Sequence, residues 1–122
     1  MSTQTGSFKR VDRLLRRSEF RYVAEEGRAA RVGNFVVVAA MREEENPGDR
    51  VRLGVTVSRR VGNAVTRNQL KRRIREWFRQ QRRGIKGNLD IVVIARRSAA
   101  GISQGETIER LEKGIRALGA AA

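Results

Sequence analysis

The sequence contains no cysteine and no histidine among its 122 residues. Without cysteine there is no disulfide framework, which suits the reducing cytosol. Zinc sites and the usual histidine-based acid–base or triad chemistry are also unavailable to this chain. No run of about 18 apolar residues exists, so we expect no membrane-spanning helix. Residues 1–10 are polar and lack the apolar core of a secretory signal. These absences favour a cytoplasmic protein.

Acidic residues are few relative to basic ones. The chain has 27 Lys and Arg against 13 Asp and Glu, a formal net charge of +14 and a sequence pI near 11.7. Self-repulsion of this size works against compactness, so the excess charge indicates a polyanionic partner, either nucleic acid or an anionic membrane surface. The length fits one domain, which we place over residues 8–122, after a loose tail of residues 1–7.

The apolar pattern predicts an α+β fold, a two-layer sandwich of helices on a central mixed sheet. The predicted order is α-β-β-α-β-α, with a possible extra short strand and one β-α-β crossover between parallel strands. Capping residues predict where the helices begin and end, and runs of β-branched residues predict the strands. The helices are expected at Glu19–Glu26 (after an N-cap at Ser18 and before Gly27), at Ala64–Arg83 (before Gly84 and Gly87) and at Glu106–Leu118; the strands are expected at Asn34–Met41, 51–58 and Asp90–Ala95.

Residues 51–58 alternate between the two faces of a strand. Val51, Leu53, Val55 and Val57 point one way, and Arg52, Gly54, Thr56 and Ser58 point the other way. Following the turn signal at residues 46–49, this pattern predicts an antiparallel hairpin with the preceding strand. One face of the sheet would pack on the core, and the other would stay polar and open.

The long helix is expected to have one apolar and one basic side. From Arg59 to Lys86 there are eleven basic residues and one acid, Glu76. At about 100° per residue, one arc holds the apolar residues Leu70, Ile74, Trp77, Phe78 and Ile85. The opposite arc holds Asn68 and six basic residues, here called the basic ridge: Lys71, Arg72, Arg75, Arg79, Arg82 and Arg83.

Three interpretations of the basic ridge compete. A charged helix face is often simply solvated, but the acids that would balance this one are almost absent. A membrane-surface helix needs bulky apolar residues free for lipid, whereas Trp77 and Phe78 fall on the expected core side. The phosphates of a nucleic acid would offset the mutual repulsion of the arginines, and their neutralisation would release the counterions condensed on the nucleic acid. Nucleic acid is therefore the favoured partner.

The turn before the long helix adds a second anion-binding feature. Arg59 and Arg60 lead out of the strand, and Gly62 and Asn63 allow a sharp turn. Backbone N–H groups at the start of a helix favour anions. The same phosphate-binding corner carries Arg67, Asn68 and Lys71.

Residues 57–76, VSRRVGNAVTRNQLKRRIRE, closely resemble the signature of the bacterial ribonuclease P protein family. In that family a strand ends in Ser and two basic residues, followed by Gly-Asn-Ala-Val and an Arg-Asn-centred basic helix. The resemblance extends to residues 13–20 (RLLRRSEF), 32–38 (VGNFVVV) and 91–97 (IVVIARR), and so over most of the chain. The chain departs from many relatives at Gln69, where they carry Arg, and from some at Ala24 and Val38, where they carry aromatics.

The resemblance implies the protein subunit of an RNA enzyme. In this family a large catalytic RNA uses Mg²⁺ to cleave the 5′ leader from precursor tRNA, and the protein holds the single-stranded leader between its first helix and its sheet. Mg²⁺ would be held mainly by the partner RNA and the substrate, with no cofactor bound tightly by the protein, no small-molecule substrate and no membrane partner. The resemblance also implies a left-handed β-α-β crossover, against the general rule.

Two groups of residues are expected to contact RNA. Contacts with the catalytic RNA are expected from Arg59, Arg60, Asn63, Arg67, Asn68, Lys71, Arg72 and Arg75. Contacts with the leader are expected from Arg13, Phe20, Phe35, Thr56, Ser58, Arg96 and Arg97. Phe20 and Phe35 would stack on bases at the open face of the sheet, and plain core packing is the alternative for both.

The chain itself offers no catalytic set. A metal-dependent nuclease needs clustered carboxylates for Mg²⁺. The acidic run Glu43–Glu45 lies in a predicted loop, and Asp12 and Asp90 have no visible partner. We therefore expect the RNA to supply the chemistry. Two alternatives stay open: a general RNA-binding or ribosomal protein with no part in catalysis, and a protein-only nuclease.

Overall fold

The structure, a computed structural model, describes residues 13–42, 51–81, 84–85 and 88–119. The elements of these residues are α1 Arg17–Glu26, β1 Arg28–Val32, β2 Phe35–Met41, β3 Val51–Val57, α2 Ala64–Gln81, β4 Leu89–Ala95, a short 3-10 helix Arg97–Gly101 and α3 Gln104–Ala117. The α+β class is confirmed. The possible extra strand is β1, so the order is α-β-β-β-α-β-α. The expected tail, the turn signal at residues 46–49 and the acidic run Glu43–Glu45 lie outside the described residues.

The described strands form one mixed sheet in the order β1-β2-β4-β3. β2 pairs antiparallel with β1, through a turn in which Gly33 has a φ of 61°, and antiparallel with β4 on its other side. β3 pairs with β4 in parallel, so α2 lies in the predicted crossover. The predicted hairpin between β2 and β3 is wrong, because the largely buried β4 lies between these two strands. The left-handed sense of the crossover stays a prediction.

The two faces of the sheet carry different helices. α2 and α3 pack on one face over the main core, which includes Phe35 of β2, Trp77 of α2 and Leu111 of α3. α1 covers part of the other face, with Val23 in a smaller cluster that includes Val92 of β4. The predicted two-layer sandwich therefore describes the sheet with α2 and α3, and α1 adds partial cover on the second face.

A glutamate, not the predicted serine, organises the start of α1. Ser18 lies inside the helix, and Arg16 is the residue that precedes it. The Glu19 carboxylate oxygen Oε1 accepts hydrogen bonds from the backbone N–H groups of Leu15 and Arg16, both at 2.8 Å. A carboxylate is favoured here, because the first N–H groups of a helix lack partners within the helix.

α3 begins two residues before the predicted position, at Gln104. Ser103 Oγ accepts from the N–H of Glu106 at 3.1 Å, and Glu106 Oε1 accepts from the N–H of Ser103 at 3.2 Å. This reciprocal pair is a capping box. The predicted apolar stripe packs on the main core, with Leu111 and Ile115 buried and Ile108 and Leu118 partly buried.

A buried carboxylate holds two arginines on the α1 face of the sheet. Asp90 of β4 is 2% exposed. Its Oδ1 accepts from Arg42 Nη1 at 2.7 Å and from Arg52 Nε at 2.8 Å, and its Oδ2 accepts from Arg52 Nη2 at 2.7 Å. Arg52 Nη1 also donates to Glu19 Oε2 of α1 at 3.1 Å. We call Arg42, Arg52, Asp90 and Glu19 the ion network. Sequence analysis found no partner for Asp90, because the two arginines are 48 and 38 residues away along the chain.

We predict that Asp90→Asn lowers the free energy of unfolding by about 3 kcal/mol, because it takes the carboxylate away from two desolvated guanidinium groups. Glu25→Gln removes an exposed carboxylate from α1 and is the matched control. Urea unfolding followed by circular dichroism measures both variants. A loss no larger than that of the control would contradict the stabilising role of the ion network.

Candidate nucleic-acid interface

α2 has the predicted apolar side. Leu70, Ile74, Trp77 and Phe78 are buried in the main core, and Ile85, which follows the helix, is buried with them. The bulky apolar residues that a membrane-surface helix would need are therefore inside the protein. None of the described helices is long and apolar enough to cross a membrane.

The basic ridge lies on the opposite side of α2. Arg72 is exposed, as is Asn68, and the other described members of the ridge, Lys71, Arg75 and Arg79, are half-buried. Arg82 and Arg83 lie outside the described residues. Long side chains of this kind rest their stems on the protein and leave their charged ends in water, where phosphates can reach them.

Arg73 and Arg79 of α2 have partners inside the protein. Arg79 pairs with Glu76, and Arg79 Nε donates to Glu76 Oε1 at 3.2 Å. The hydrogen bonds and the charge of Arg79 hold the pKa of Glu76 below its usual value. Arg73 Nη1 donates to the carbonyl oxygen of Ile102 at 2.7 Å and so ties α2 to the segment before α3. Of the described members of the basic ridge, Lys71, Arg72 and Arg75 therefore offer most of the positive charge to a partner.

The turn between β3 and α2 is held by side-chain hydrogen bonds. Asn63 Oδ1 accepts from the N–H of Thr66 at 2.9 Å and so caps α2. Arg67 Nε donates to the carbonyl oxygen of Gly62 at 3.1 Å. Gly62 is needed for space and not for a left-handed backbone, since a Cβ there would lie 3.0 Å from the side chain of Thr66 and its φ is not positive. Arg59–Arg60 is exposed in this turn.

Arg13 lies beside the basic ridge. It bridges to Leu53 at the outer edge of β3, and its neighbour Leu14 is buried in the α1 cluster on the other face. Burial and then the nearby charge of Arg13 lower the pKa of Arg75. An anion between these two guanidinium groups would relieve their repulsion. The structure thus places Arg13 near Arg75, one of the expected catalytic-RNA contacts, and its expected role as a leader contact stays a prediction.

The α1 face of the sheet is built from three cross-strand rows. These are the ionic row (Ala40, Asp90, Arg52), the covered row (Val38, Val92, Gly54) and the open row (Val36, Ile94, Thr56). Successive rows are two residues, about 7 Å, apart along the strands. Val23 and Phe20 of α1 pack over the covered row, so α1 runs between the ionic row and the open row.

The open row is an accessible floor beside an aromatic ring. Ile94 is 36% exposed although the rest of β4 is buried, and Thr56 is exposed as well. The half-buried ring of Phe20 lies against Gly54, where a Cβ would be only 2.6 Å from the ring atom Cε2. Gly54 therefore makes room for Phe20 at the border of the open row. An aromatic ring beside an apolar floor suits a stacked nucleobase.

Phe35 takes no part in this floor. It is 0% exposed and packs in the main core on the α2 side of the sheet. Successive strand residues point to opposite faces, so its neighbour Val36 faces the open row instead. The prediction that Phe35 stacks on a base is wrong, and the alternative, core packing, is correct.

The remaining expected leader contacts gather where β3 and β4 end. Because these strands are parallel, their carboxyl ends share one edge of the sheet. Ser58 follows β3, Arg96 and Arg97 follow β4, and all three are exposed. The N–H of Arg96 donates to the carbonyl oxygen of Asn34 at 2.8 Å, and Asn34 Nδ2 donates to Ser98 Oγ at 3.0 Å. These bonds fix the backbone that carries the two arginines.

The open row leads along the chain into a basic turn at the carboxyl end of β3. Thr56 belongs to the open row, Ser58 follows β3, and the exposed Arg59–Arg60 lies in the turn before α2, the helix that carries the basic ridge. The two surfaces are therefore joined by a short, exposed, basic segment of chain.

Sequence analysis missed three residues of this surface: Val36, Ile94 and Gly54. β2 and β4 are apolar on both faces, so their pattern does not tell which residues α1 leaves uncovered. The signal for Gly54 was its place in the alternating pattern of β3, but the ring that fills its space comes from a distant part of the chain.

The acidic residues form no metal site in the described ranges, where no three acidic side chains come together in a group that could hold a metal ion. Glu19 and Asp90 lie on the α1 face, but both accept hydrogen bonds from Arg52 in the ion network. Each of the two carboxylates is therefore already paired with a cation, and the other oxygen of Glu19 accepts backbone N–H groups.

Comparison with known proteins identifies the family. The family model described as Ribonuclease P matches residues 8–119. A relative from Desulforapulum autotrophicum, named Ribonuclease P protein component, is 43% identical over 107 residues, which cover 88% of this chain and 88% of the relative. Another of the same name, from Halalkalibacterium halodurans, is 40% identical over 92 residues, which cover 75% of each chain.

Solved structures agree with this assignment. The RNase P protein of Staphylococcus aureus matches with a TM-score of 0.82 at 32% identity, covering 91% of this chain and 98% of that one. The RNase P protein of Thermotoga maritima matches with a TM-score of 0.73 at 33% identity, covering 83% of this chain and 92% of that one. The chain therefore belongs to the family of ribonuclease P protein components, the protein part of a ribonuclease that works with an RNA partner.

Proposed function

We propose that this chain binds both the catalytic RNA of ribonuclease P and the 5′ leader of precursor tRNA. The observation that carries the proposal is the carboxyl end of β3, where the open row beside Phe20 leads through the exposed basic turn of Arg59–Arg60 into α2 and its basic ridge. The ridge suits a folded RNA, because its cations neutralise phosphates and release counterions. The open row suits the single-stranded leader, because an aromatic ring stacks on any base.

We assign the chemistry to the RNA partner and to Mg²⁺ held by the RNA and the substrate. Glu19 and Asp90 are poor candidates for metal ligands, since arginines occupy their oxygens. The described residues thus lack the carboxylate cluster that a protein-only nuclease needs. The protein would bind and orient the substrate and screen the repulsion between the RNA strands. We place this activity in the cytoplasm, which the absence of cysteine suits.

A general RNA-binding or ribosomal role would use the same basic ridge. Membership of the ribonuclease P family argues against it. The RNA that copurifies with the protein separates the two roles, because a ribosomal RNA in place of a ribonuclease P RNA would contradict the proposal.

We predict that the protein lowers the Mg²⁺ concentration at which the cognate RNA cleaves the leader from precursor tRNA, because its cations take over part of the screening. Cleavage rates are measured across a Mg²⁺ series with RNA alone, with protein alone and with both. An unchanged Mg²⁺ dependence would refute the subunit function, and cleavage by the protein alone would revive the protein-only nuclease.

We predict that the triple variant Lys71→Gln, Arg72→Gln, Arg75→Gln weakens binding to the catalytic RNA. The slope of log affinity against log salt concentration should fall by about one for each phosphate that the variant no longer neutralises. The matched control is Arg21→Gln, Arg28→Gln, Arg116→Gln, which removes three exposed cations outside α2. Equal slopes in the two triple variants would show that the overall charge, and not the basic ridge, carries the affinity.

We predict that Phe20→Ala weakens the binding of leader-bearing precursor tRNA by about 1–3 kcal/mol, the contribution of one stacked base. Binding of mature tRNA should stay the same, because the variant leaves the basic ridge intact. Leu15→Ala, which removes an exposed apolar side chain just before α1, is the matched control. Filter binding to the reconstituted enzyme measures the affinity of the unmodified protein and of each variant for both tRNAs. A loss for mature tRNA equal to that for precursor tRNA would place Phe20 outside the leader site.

A further inference from the structure

α1 is registered on β3 by two adjacent contacts. Arg52 and Gly54 are successive residues on the α1 face of β3, and Glu19 and Phe20 are consecutive in α1. Arg52 Nη1 donates to Glu19 Oε2 at 3.1 Å, and Gly54 makes room for the ring of Phe20. The ion pair and the ring contact therefore set the same stretch of helix against the same stretch of strand.

Apolar packing alone gives α1 few contacts with the sheet. Val23 is the one fully buried residue of this helix. On the flank away from the open row, a cavity of about 450 Å³ is lined by the ion network and by Tyr22, among others. Polar contacts hold α1 along this flank, namely the Glu19–Arg52 ion pair and a hydrogen bond of 2.6 Å from the Tyr22 hydroxyl to the carbonyl oxygen of Met41. The placement of α1 therefore depends strongly on its polar contacts.

Both partners of the ion pair are themselves held in place. Two hydrogen bonds to the buried Asp90 orient the guanidinium of Arg52. The second oxygen of Glu19 accepts the backbone N–H groups of Leu15 and Arg16. Burial would raise the pKa of Glu19, but these hydrogen bonds and the charge of Arg52 outweigh it and hold the pKa below its usual value. The carboxylate is thus ionised and paired at neutral pH.

We propose that Arg52 and Glu19 are positioning residues for leader binding, acting through Phe20, whose place beside the open row their ion pair sets. This inference rests on the proposed function, since it takes the open row as the leader site. The ionic row and the open row lie on opposite sides of α1. Loosening the ion pair therefore changes the gap on the other side of the helix without removing any group that touches RNA.

The test is Glu19→Gln, which removes the charge and keeps an oxygen that can accept the N–H groups of Leu15 and Arg16. Glu25→Gln removes the same charge from an exposed position of the same helix, outside the lining of the cavity beside the ion network, and is the matched control. The reconstituted enzyme is titrated with leader-bearing precursor tRNA and with mature tRNA, and the ratio of the two affinities measures leader binding. For Glu19→Gln this ratio should fall about two- to fivefold below that of the control, the range expected for a partly exposed ion pair. The affinity for mature tRNA should not change.

The same comparison in a Phe20→Ala background tests whether Glu19 acts through the ring. The effect of Glu19→Gln on the ratio should vanish there, because coupled residues are not additive. A ratio equal to that of Glu25→Gln, an equal loss for mature tRNA, or an effect that persists without Phe20 would overturn the positioning role. A ratio of one in the unmodified protein would overturn the proposed leader site together with this inference, so the two failures are distinguishable.

Discussion

The burial of β4 on both faces is the constraint on which the rest of the structure depends. A strand that is apolar on both sides needs cover on both sides, and α2 and α3 provide it on one face and α1 on the other. Parallel pairing of β3 with β4 requires a crossover, and α2 lies in it with its apolar side on the core and its basic ridge outward. The same pairing brings Ser58 and Arg96 to one edge of the sheet. The candidate interface thus follows from the cover and pairing that the central strand requires.

The sequence predicted the features that depend on residues close together along the chain. The two sides of α2, the alternation in β3 and the apolar β4 are of this kind, and each was confirmed. The hairpin between β2 and β3 and the stacking role of Phe35 were wrong, because they depend on which strands are neighbours and which face a helix covers. The partners of Asp90 and the exposure of Ile94 were missed for the same reason. At the candidate site, the basic ridge was therefore predictable and the open row was not.

The structure divides its arginines between two tasks that the composition cannot separate. Arg42 and Arg52 bind a buried carboxylate, and Arg73 binds a backbone carbonyl. Arg60 and Arg72 are instead exposed, so their guanidinium groups are open to an anionic partner. One residue type serves both tasks, because the guanidinium fork fits carboxylates, carbonyls and phosphates alike. Cations that lie close together, such as the half-buried Arg75 near Arg13, repel one another in the free protein. A polyanion that removes this repulsion binds the folded chain preferentially, so RNA binding should stabilise the fold.

A single face of β3 orders the parts of the candidate site. Arg52 anchors α1, Gly54 receives Phe20, Thr56 lies in the open row, and Ser58 begins the turn into the basic ridge. Their spacing of two residues keeps Arg52, Gly54 and Thr56 on one side of the strand, whereas a slip of one residue would turn all three toward the core. The main core opposes such a slip, because it would bring Leu53 and Val57 out of the interior. Hydrophobic burial on one face of β3 therefore fixes the relative positions of the ion network, the aromatic ring and the basic turn, so that the open row and the start of α2 cannot shift independently.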